Sequence, residues 1–266
     1  MTLKAFICST CGIQYPESEH PPMHCKICED ERQYVNQNGQ SWTTLSSINT
    51  EHTNIINKVA DGLYAIYSTP AFAINQRAHL LQTEHGNILW DCIANLDDST
   101  VDVINSLGGL DVIAISHPHY YTTVAEWSKR FGNIPVYIHS RDLKWLTRTD
   151  FNLILLDGEK KQILPDVTLI NCGGHFDGGC VLHYNHGNGM LLTGDSIQVS
   201  PDLKSVSMMY SYPNLIPLSK KAVLHIQETL DGTPYETMYG AFGNYIKANA
   251  MEIFKFSVDR YLKIFD

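Results

Sequence analysis

The segment DVIAISHPHYYTT, residues 111–123, decides the fold of this chain. It starts as a short apolar run rich in β-branched residues and then meets a proline and two threonines, a pattern typical of a buried strand followed by a loop. The loop carries His117 and His119. We therefore predict a strand that ends at two potential metal ligands.

Two later segments repeat this arrangement. NCGGHFDGG (171–179) places His175 after a glycine turn, and LLTGDS (191–196) ends an apolar run at Asp195. Loops at one edge of a layered α/β fold aim side chains at a common point. Turn chemistry is the alternative for each residue alone, but the order and spacing of all three segments favour one metal centre. Three imidazoles and a carboxylate suit zinc, iron or manganese, and a position left to water would make the site catalytic.

The N-terminus carries a second kind of metal motif. FICSTCG (6–12) and HCKICED (24–30) hold two Cys-x-x-Cys pairs, which supply Cys8, Cys11, Cys25 and Cys28. Four thiolates complete a tetrahedron around zinc and leave no position for a substrate, so the pattern predicts a structural zinc ribbon. Two disulfides are the alternative, and the lack of a preceding secretory segment disfavours them.

Composition narrows the class of protein. The chain has 266 residues, 44% of them hydrophobic and 18% charged, and a net charge of −9. That charge argues against a nucleic-acid partner, for which clustered Lys and Arg would be expected. No apolar stretch approaches the length of a membrane span. We expect a cytoplasmic protein with a small-molecule substrate, no membrane or nucleic-acid partner, and the ribbon as the surface open to a protein partner.

Periodicity predicts a mixed α/β chain. We expect a zinc ribbon over residues 1–40 and a larger domain over residues 41–266. Within the larger domain the pattern predicts strands at 62–68, 78–84, 87–92, 135–140, 167–172, 180–185 and 189–195. It predicts helices at 122–132, 219–232 and 246–265.

From about residue 55 to residue 266, these motifs resemble the metallo-β-lactamase superfamily. The resemblance implies an αββα sandwich in which His117, His119, His175 and Asp195 bind the first metal. An earlier aspartate of the family, which supports the site from behind its ligands, matches Asp91 in NILWDC (87–92). A plain strand-end cap is the alternative reading of Asp91.

The chain departs from the family pattern at the second metal. Two-metal members use an Asp and a His that close the first motif, and a later His. Those places read Tyr121, Thr122 and, by a looser match in YGAFGNY (239–245), Phe242. A phenol, a hydroxyl and a hydrocarbon ring are poor ligands for a divalent ion at neutral pH. We therefore expect a mononuclear site.

One metal with an open position favours hydrolysis of a small ester, lactone, thioester or amide. Asp195 would ligate the metal or accept the proton of its water. Tyr121 would donate a hydrogen bond to the oxyanion or protonate the leaving group, or its ring would simply fill the space of the second metal. Tyr210 and Tyr212, in the aromatic segment SMMYSYPNLIPLS (207–219), are candidate substrate contacts or packed loop residues.

Two other functions stay open from the sequence. The loss of the second-metal ligands favours an inactive, metal-stabilised scaffold, whereas the retention of all four first-site ligands favours an enzyme. A mononuclear iron oxygenase of the same superfamily would use the same donor types. Zinc is the first expectation for the active-site metal, with iron or manganese as alternatives.

Overall fold

The computed structural model describes residues 2–265. The N-terminal segment forms a three-stranded sheet in the order β2-β1-β3, followed by a short helix. These elements are β1 (Lys4–Cys8), β2 (Gln14–Ser18), β3 (Trp42–Thr44) and α1 (Leu45–Glu51). The ribbon sheet therefore takes its third strand from beyond residue 40, while the domain boundary itself stays a prediction.

The first large sheet has seven strands, in the order β10-β9-β8-β7-β6-β5-β4. The strands are β4 (Thr53–Ala60), β5 (Leu63–Thr69), β6 (Ala78–Thr83), β7 (Gly86–Trp90), β8 (Val112–Ala114), β9 (Val136–His139) and β10 (Leu153–Leu156). β4 to β7 pair antiparallel, and β7 to β10 pair parallel. The carboxyl ends of β7 and β8 therefore meet at one edge.

The second large sheet has six strands, in the order β11-β12-β13-β14-β19-β20. The remaining strands of the chain are β11 (Lys160–Leu164), β12 (Val167–Asn171), β13 (Cys180–Tyr184), β14 (Met190–Leu192), β15 (Gln198–Val199), β16 (Val206–Ser207), β17 (Met209–Ser211), β18 (Ile216–Pro217), β19 (Thr237–Tyr239) and β20 (Tyr245–Ile246). Strands β15 to β18 form two small hairpins outside this sheet.

The two large sheets pack face to face, with helices outside them. Trp90 and Leu63 of the first sheet share one buried cluster with Leu182 and Leu192 of the second. The helices are α2 (Asp98–Ser106), α3 (Val124–Arg130), α4 (Lys220–Leu230) and α5 (Ala250–Leu262). Residues of α2 and α3 cover the first sheet, and residues of α4 and α5 cover the second. The αββα architecture expected from the sequence is confirmed.

Local sequence explains the helix boundaries, with one correction. Helix α3 starts after Thr123, and α4 is capped by the side chain of Ser219, which accepts a hydrogen bond from the Ala222 amide. The C-terminal helix was expected from residue 246, and this start is wrong. Ile246 pairs with Met238 in the sheet, and Asn249 adopts the left-handed conformation that separates strand from helix.

The N-terminal ribbon packs directly against the larger domain. Ile13 and Ile27 of the ribbon belong to the same buried cluster as Tyr120 and Trp127 beside the first sheet. The amide of Gln14 also donates to the carbonyl of Thr122, at 3.0 Å. The ribbon thus rests on the loop that follows β8. Among residues 2–265, none of the helices combines the length and apolar character needed to span a membrane.

Candidate metal centres

Three loops bring the four candidate ligands of the larger domain together. His117 and His119 follow β8, His175 follows β12 and Asp195 follows β14. One donor atom from each of these residues lies within 4.8 Å of the others, and all four side chains are buried. We call this set the histidine cluster. The strand-end positions predicted from the sequence therefore converge on one point.

Glycine allows two of these loops to approach each other. Gly194 has a φ of +50°, and a Cβ atom built on it would lie 2.6 Å from the Cβ of Ser116. Any side chain at residue 194 would push apart the loops that carry His117 and Asp195. The Thr-Gly-Asp sequence thus has a geometric role as well as supplying a candidate ligand.

Unpartnered atoms in the histidine cluster fit a metal ion. His117 Nε2 and Asp195 Oδ1 are buried without a hydrogen-bond partner, an arrangement that is costly unless another group satisfies them. His119 Nδ1 lies 3.2 Å from His175 Nε2, and His117 Nε2 lies 3.6 Å from Asp195 Oδ2. Two nitrogen ligands at tetrahedral zinc are about 3.3 Å apart. These separations match donors that share one ion.

Burial also keeps the three imidazoles neutral, which is the form that binds metal. Desolvation lowers the pKa of His117 and His119 well below the ordinary value, and neighbouring histidines add to this effect. Desolvation lowers the pKa of His175 to about 4. Burial raises the pKa of Asp195 to about 7.

A hydrogen-bonded chain orients His117. Asp91 Oδ1 accepts from the Ser116 amide at 2.7 Å, and Asp91 Oδ2 accepts from the Ser116 hydroxyl at 2.9 Å. The Ser116 Oγ lies 2.8 Å from His117 Nδ1. Asp91 holds a φ of 66° directly after β7, an uncommon conformation for a residue other than glycine. The structure thus places Asp91 behind the cluster, linked to His117 through Ser116.

His175 is held by the main chain of Tyr210, which was expected as a substrate contact, and by Arg32, which the sequence did not single out. Its Nδ1 lies 2.8 Å from the main-chain carbonyl of Tyr210, so this nitrogen donates and Nε2 is left for the cluster. Its own carbonyl accepts a 2.7 Å hydrogen bond from Nε of Arg32. Arg32 comes from the ribbon, 143 positions away in the chain.

Two aromatic rings and one carboxylate contact the guanidinium group of Arg32. Its guanidinium carbon lies 4.6 Å from the ring centroid of Phe176 and 4.6 Å from that of Tyr210, distances typical of cation–π contacts. Its Nη1 donates to both carboxylate oxygens of Asp30, at 2.8 and 2.9 Å. Arg32 therefore bridges the ribbon and the loop of His175.

The residues at the second-metal positions contribute no ligand cluster within residues 2–265. The hydroxyl of Tyr121 donates to the carbonyl of Asp142 at 3.3 Å, and burial raises the pKa of Tyr121 well above its ordinary value. Phe242 instead lines a cavity beside the histidine cluster. This geometry suits the packing role of Tyr121 better than the role of proton donor.

The cavity beside the histidine cluster has a volume of about 110 Å³. Ile74, Pro213 and Phe242 give it apolar walls, and Tyr212, whose ring centroid lies 5.6 Å from that of His175, also lines it. The Tyr212 hydroxyl donates to the carbonyl of Asp195 at 3.1 Å. The Tyr210 hydroxyl points elsewhere and donates to Glu31 at 2.5 Å. Of the two candidate substrate contacts, only Tyr212 lines this cavity.

The cavity has one wall that the sequence did not predict. Arg32, Gln33 and Tyr34 of the N-terminal segment line it together with His119, His175 and Asp195. No local pattern marks these three residues, because they meet the site only through the docking of the ribbon. The two Cys-x-x-Cys motifs that fix the fold of this segment were the one available signal.

The second metal-capable group is the cysteine cluster, which consists of Cys8, Cys11, Cys25 and Cys28. The Sγ atoms of Cys8 and Cys28 lie 3.6 Å apart, as do those of Cys11 and Cys25. Thiolates at tetrahedral zinc are about 3.8 Å apart, whereas a disulfide bond is only ~2.05 Å long. The cysteines are unpaired in the structure. Their arrangement fits a zinc ribbon.

This chain is similar in sequence or in fold to several known proteins. No family model matches the chain. It is 46% identical over 263 residues to the uncharacterized protein YmaE of Bacillus subtilis (strain 168), covering 97% of this chain and 96% of YmaE.

Solved structures show the fold. VMB-1 superposes with a TM-score of 0.61 at 13% identity, covering 80% of this chain and 98% of VMB-1. The metallo-β-lactamase from Pontibacter korlensis gives a TM-score of 0.58 at 14% identity, covering 80% of this chain and 98% of that enzyme. FIM-1 from Pseudomonas aeruginosa, in its mono-zinc form, gives 0.55 at 15% identity, covering 79% of this chain and 96% of FIM-1. The chain belongs to the family of Bacillus subtilis YmaE, and it has the metallo-β-lactamase fold, preceded by a four-cysteine zinc ribbon.

Proposed function

We propose that this protein is a metal-dependent hydrolase of a small ester, lactone, thioester or amide, with one metal ion bound by the histidine cluster. The observation that carries the proposal is the convergence of four buried donor residues, among which His117 Nε2 and Asp195 Oδ1 have no hydrogen-bond partner, beside a cavity. A divalent ion bound there supplies Lewis acidity and a water of lowered pKa. Zinc is the first candidate, and the mono-zinc form of FIM-1 offers a precedent for single occupancy in this fold.

The chain's own residues would divide the work. The Asp91–Ser116 pair holds the ring of His117, and the Tyr210 carbonyl holds the ring of His175. Fixed donors lose little free energy on binding and need no reorganisation during the reaction. Asp195, whose Oδ1 is free of hydrogen bonds, would ligate the ion or hold a proton at this oxygen. The apolar walls would exclude bulk water from a small acyl group.

The size of the cavity supports a small substrate. Pockets for drug-sized ligands measure about 300–1,000 Å³, and this one measures about 110 Å³. An acyl or lactone group of a few non-hydrogen atoms fits this volume. The zinc identity, the small-molecule partner and a cytoplasmic location belong to the proposal.

A substrate panel tests the proposal. The purified protein would be loaded separately with zinc, iron and manganese and assayed on 4-nitrophenyl acetate, S-phenyl thioacetate, γ-butyrolactone and acetanilide. We expect turnover of at least one member, lost in a His117→Ala, His119→Ala variant. If the metal-loaded protein hydrolyses none of the four compounds, the inactive scaffold would be favoured. Oxygen consumption by the iron form without hydrolysis would favour the oxygenase.

A further inference from the structure

The ribbon contributes a buried polar side chain to the cavity that no metal ligand uses. Gln33 is 3% exposed and lines the cavity together with His119, His175 and Asp195. Its Oε1 is buried and has no hydrogen-bond partner. An unsatisfied buried acceptor of this kind destabilises the fold. Such a group calls for a partner, and a ligand in the cavity would supply one.

Two hydrogen bonds fix the main chain that carries this side chain. Its amide donates to the carbonyl of Asp30 at 2.9 Å, and its carbonyl accepts from Nδ2 of Asn214 at 3.1 Å. The neighbouring Arg32 is anchored to the loop of His175. The carboxamide is therefore carried by a backbone that is tied both to the N-terminal segment and to the larger domain.

We propose that Gln33 is a substrate-binding residue and that the zinc ribbon completes the recognition site for a small neutral acyl compound bearing an O–H or N–H donor. This inference rests on the proposed function, because it places the bound acyl group beside the histidine cluster. The donor of the substrate would bind Gln33 Oε1, while its hydrocarbon part would contact Ile74 and Phe242 on the apolar walls. A neutral compound is favoured, because the cationic Arg32 and the carboxyl group of Asp195 both line this cavity.

A matched pair of probes tests this assignment. α-Hydroxy-γ-butyrolactone carries the donor, and α-methyl-γ-butyrolactone lacks it at nearly the same size. Binding to the full-length, metal-loaded protein would be measured by saturation-transfer NMR, and hydrolysis would be followed separately with a pH indicator. We expect at least about tenfold tighter binding of the hydroxy lactone, because a site with a buried acceptor rejects an analogue that lacks the donor.

Three variants isolate the carboxamide. Gln33→Leu keeps the approximate volume and should reduce the preference to about twofold or less, whereas Gln33→Glu keeps an acceptor and should retain a preference. Gln37→Leu changes an exposed glutamine of the same segment and should leave the preference unchanged. Metal content and the unfolding temperature identify a Gln33 variant that misfolds, and in that case the unaltered protein's preference between the two lactones decides alone.

The outcomes separate the two proposals. A Gln33-dependent preference in binding without hydrolysis would support the recognition site and count against the hydrolase. Hydrolysis with no preference between the lactones, or with a preference that survives in Gln33→Leu, would overturn the role of Gln33 and leave the hydrolase standing. The proposed recognition site would be overturned if neither lactone binds at about 50 mM. This concentration is about ten times the dissociation constant of a weakly bound ligand.

Discussion

The cysteine cluster and the histidine cluster are both buried sets of four donors, but they differ in what surrounds them. The cysteine cluster draws its donors from two short segments within residues 8–28, and its four soft ligands close a tetrahedron. The histidine cluster draws its donors from three strand-end loops and borders a cavity. Donors that are local in sequence build a fold, whereas donors gathered from several strand ends leave room for a substrate.

The contrast also shows how the two centres depend on each other. Arg32 donates to the carbonyl of His175, and the Gln76 side chain lies 3.4 Å from the carbonyl of Cys11 and 3.3 Å from that of His119. The ribbon is therefore a wall of the second centre as well as a small fold of its own. Each experiment below disturbs one centre and asks what happens at the other.

The largest effect should follow loss of the cysteine cluster. In a Cys11→Ser, Cys25→Ser variant, the ribbon loses a metal whose binding contributes about 10 kcal/mol or more to folding. Because the ribbon shares a buried cluster with the first sheet, we expect the unfolding temperature of the whole chain to fall by more than about 10 °C or the protein to become insoluble. Circular dichroism on heating measures this.

Cys172→Ser serves as the control, because Cys172 is equally buried but lies outside the cluster. It should cost about 1 kcal/mol. Equal unfolding temperatures for the double variant and the unaltered protein would show that the ribbon needs no metal.

The next effect concerns turnover. In the His117→Ala, His119→Ala variant, we expect kcat/KM to fall by about 10³ or more, a loss of about 4 kcal/mol of transition-state stabilisation. The ribbon should stay folded, because the cysteine cluster is intact. Steady-state kinetics and zinc analysis check both statements. His225→Ala, on the outer helix α4, is the control, and equal losses in the two variants would contradict the assignment.

The stability of the native state should depend on pH through a carboxyl group at the loop of His175, and not through the ribbon. Burial raises the pKa of Asp142 to about 6, and its Oδ1 accepts from the Gly178 amide at 3.0 Å. Between about pH 4 and 6 the unfolded chain releases this proton before the native state does, so stability falls as pH rises. A pKa shift of this size corresponds to about 3 kcal/mol in the free energy of unfolding.

The Asp142→Asn substitution removes this pH dependence of stability. Urea unfolding of both proteins should be measured at pH 4 and pH 7. As pH rises between these values, the free energy of unfolding of the variant should increase by about 3 kcal/mol relative to that of the unaltered chain. A stability difference that does not change with pH would contradict the protonated carboxyl.

A smaller effect is expected where the two centres touch. Arg32→Ala removes the donor to the His175 carbonyl and the cation between Phe176 and Tyr210. We expect the affinity of the histidine cluster for zinc to fall by about tenfold to a hundredfold, with the ribbon's metal unchanged. Competition with a chromogenic chelator measures this, and Arg32→Lys should recover only part of the loss. An unchanged zinc affinity would show that the ribbon does not position His175.

The smallest effect should come from Tyr121→Phe. Its hydroxyl makes one 3.3 Å hydrogen bond to a main-chain carbonyl, so we expect a loss of about 1 kcal/mol in stability and less than twofold change in kcat. Urea unfolding and steady-state kinetics measure these. A loss of kcat of tenfold or more, with normal metal content, would restore the role of proton donor.

The sequence identified the residues of both clusters but not the contact between them. Each ligand of the histidine cluster stands in a short motif after an apolar strand, and the cysteine pairs are local, so a pattern within a dozen residues revealed them. Arg32 and Gln33 carry no such pattern, because their roles depend on partners more than a hundred positions away. The start of α5 was misplaced for a similar reason, since Ile246 is held in the sheet by Met238.

The most direct test of two distinct metal centres is a metal count per chain, by elemental analysis of protein purified without chelator. We expect two metals in the unaltered protein and one in the His117→Ala, His119→Ala variant, with the remaining metal at the cysteine cluster. The element lost would identify the metal of the histidine cluster. A count of one that is unchanged by the histidine substitutions would contradict the account, because only the ribbon would then bind metal.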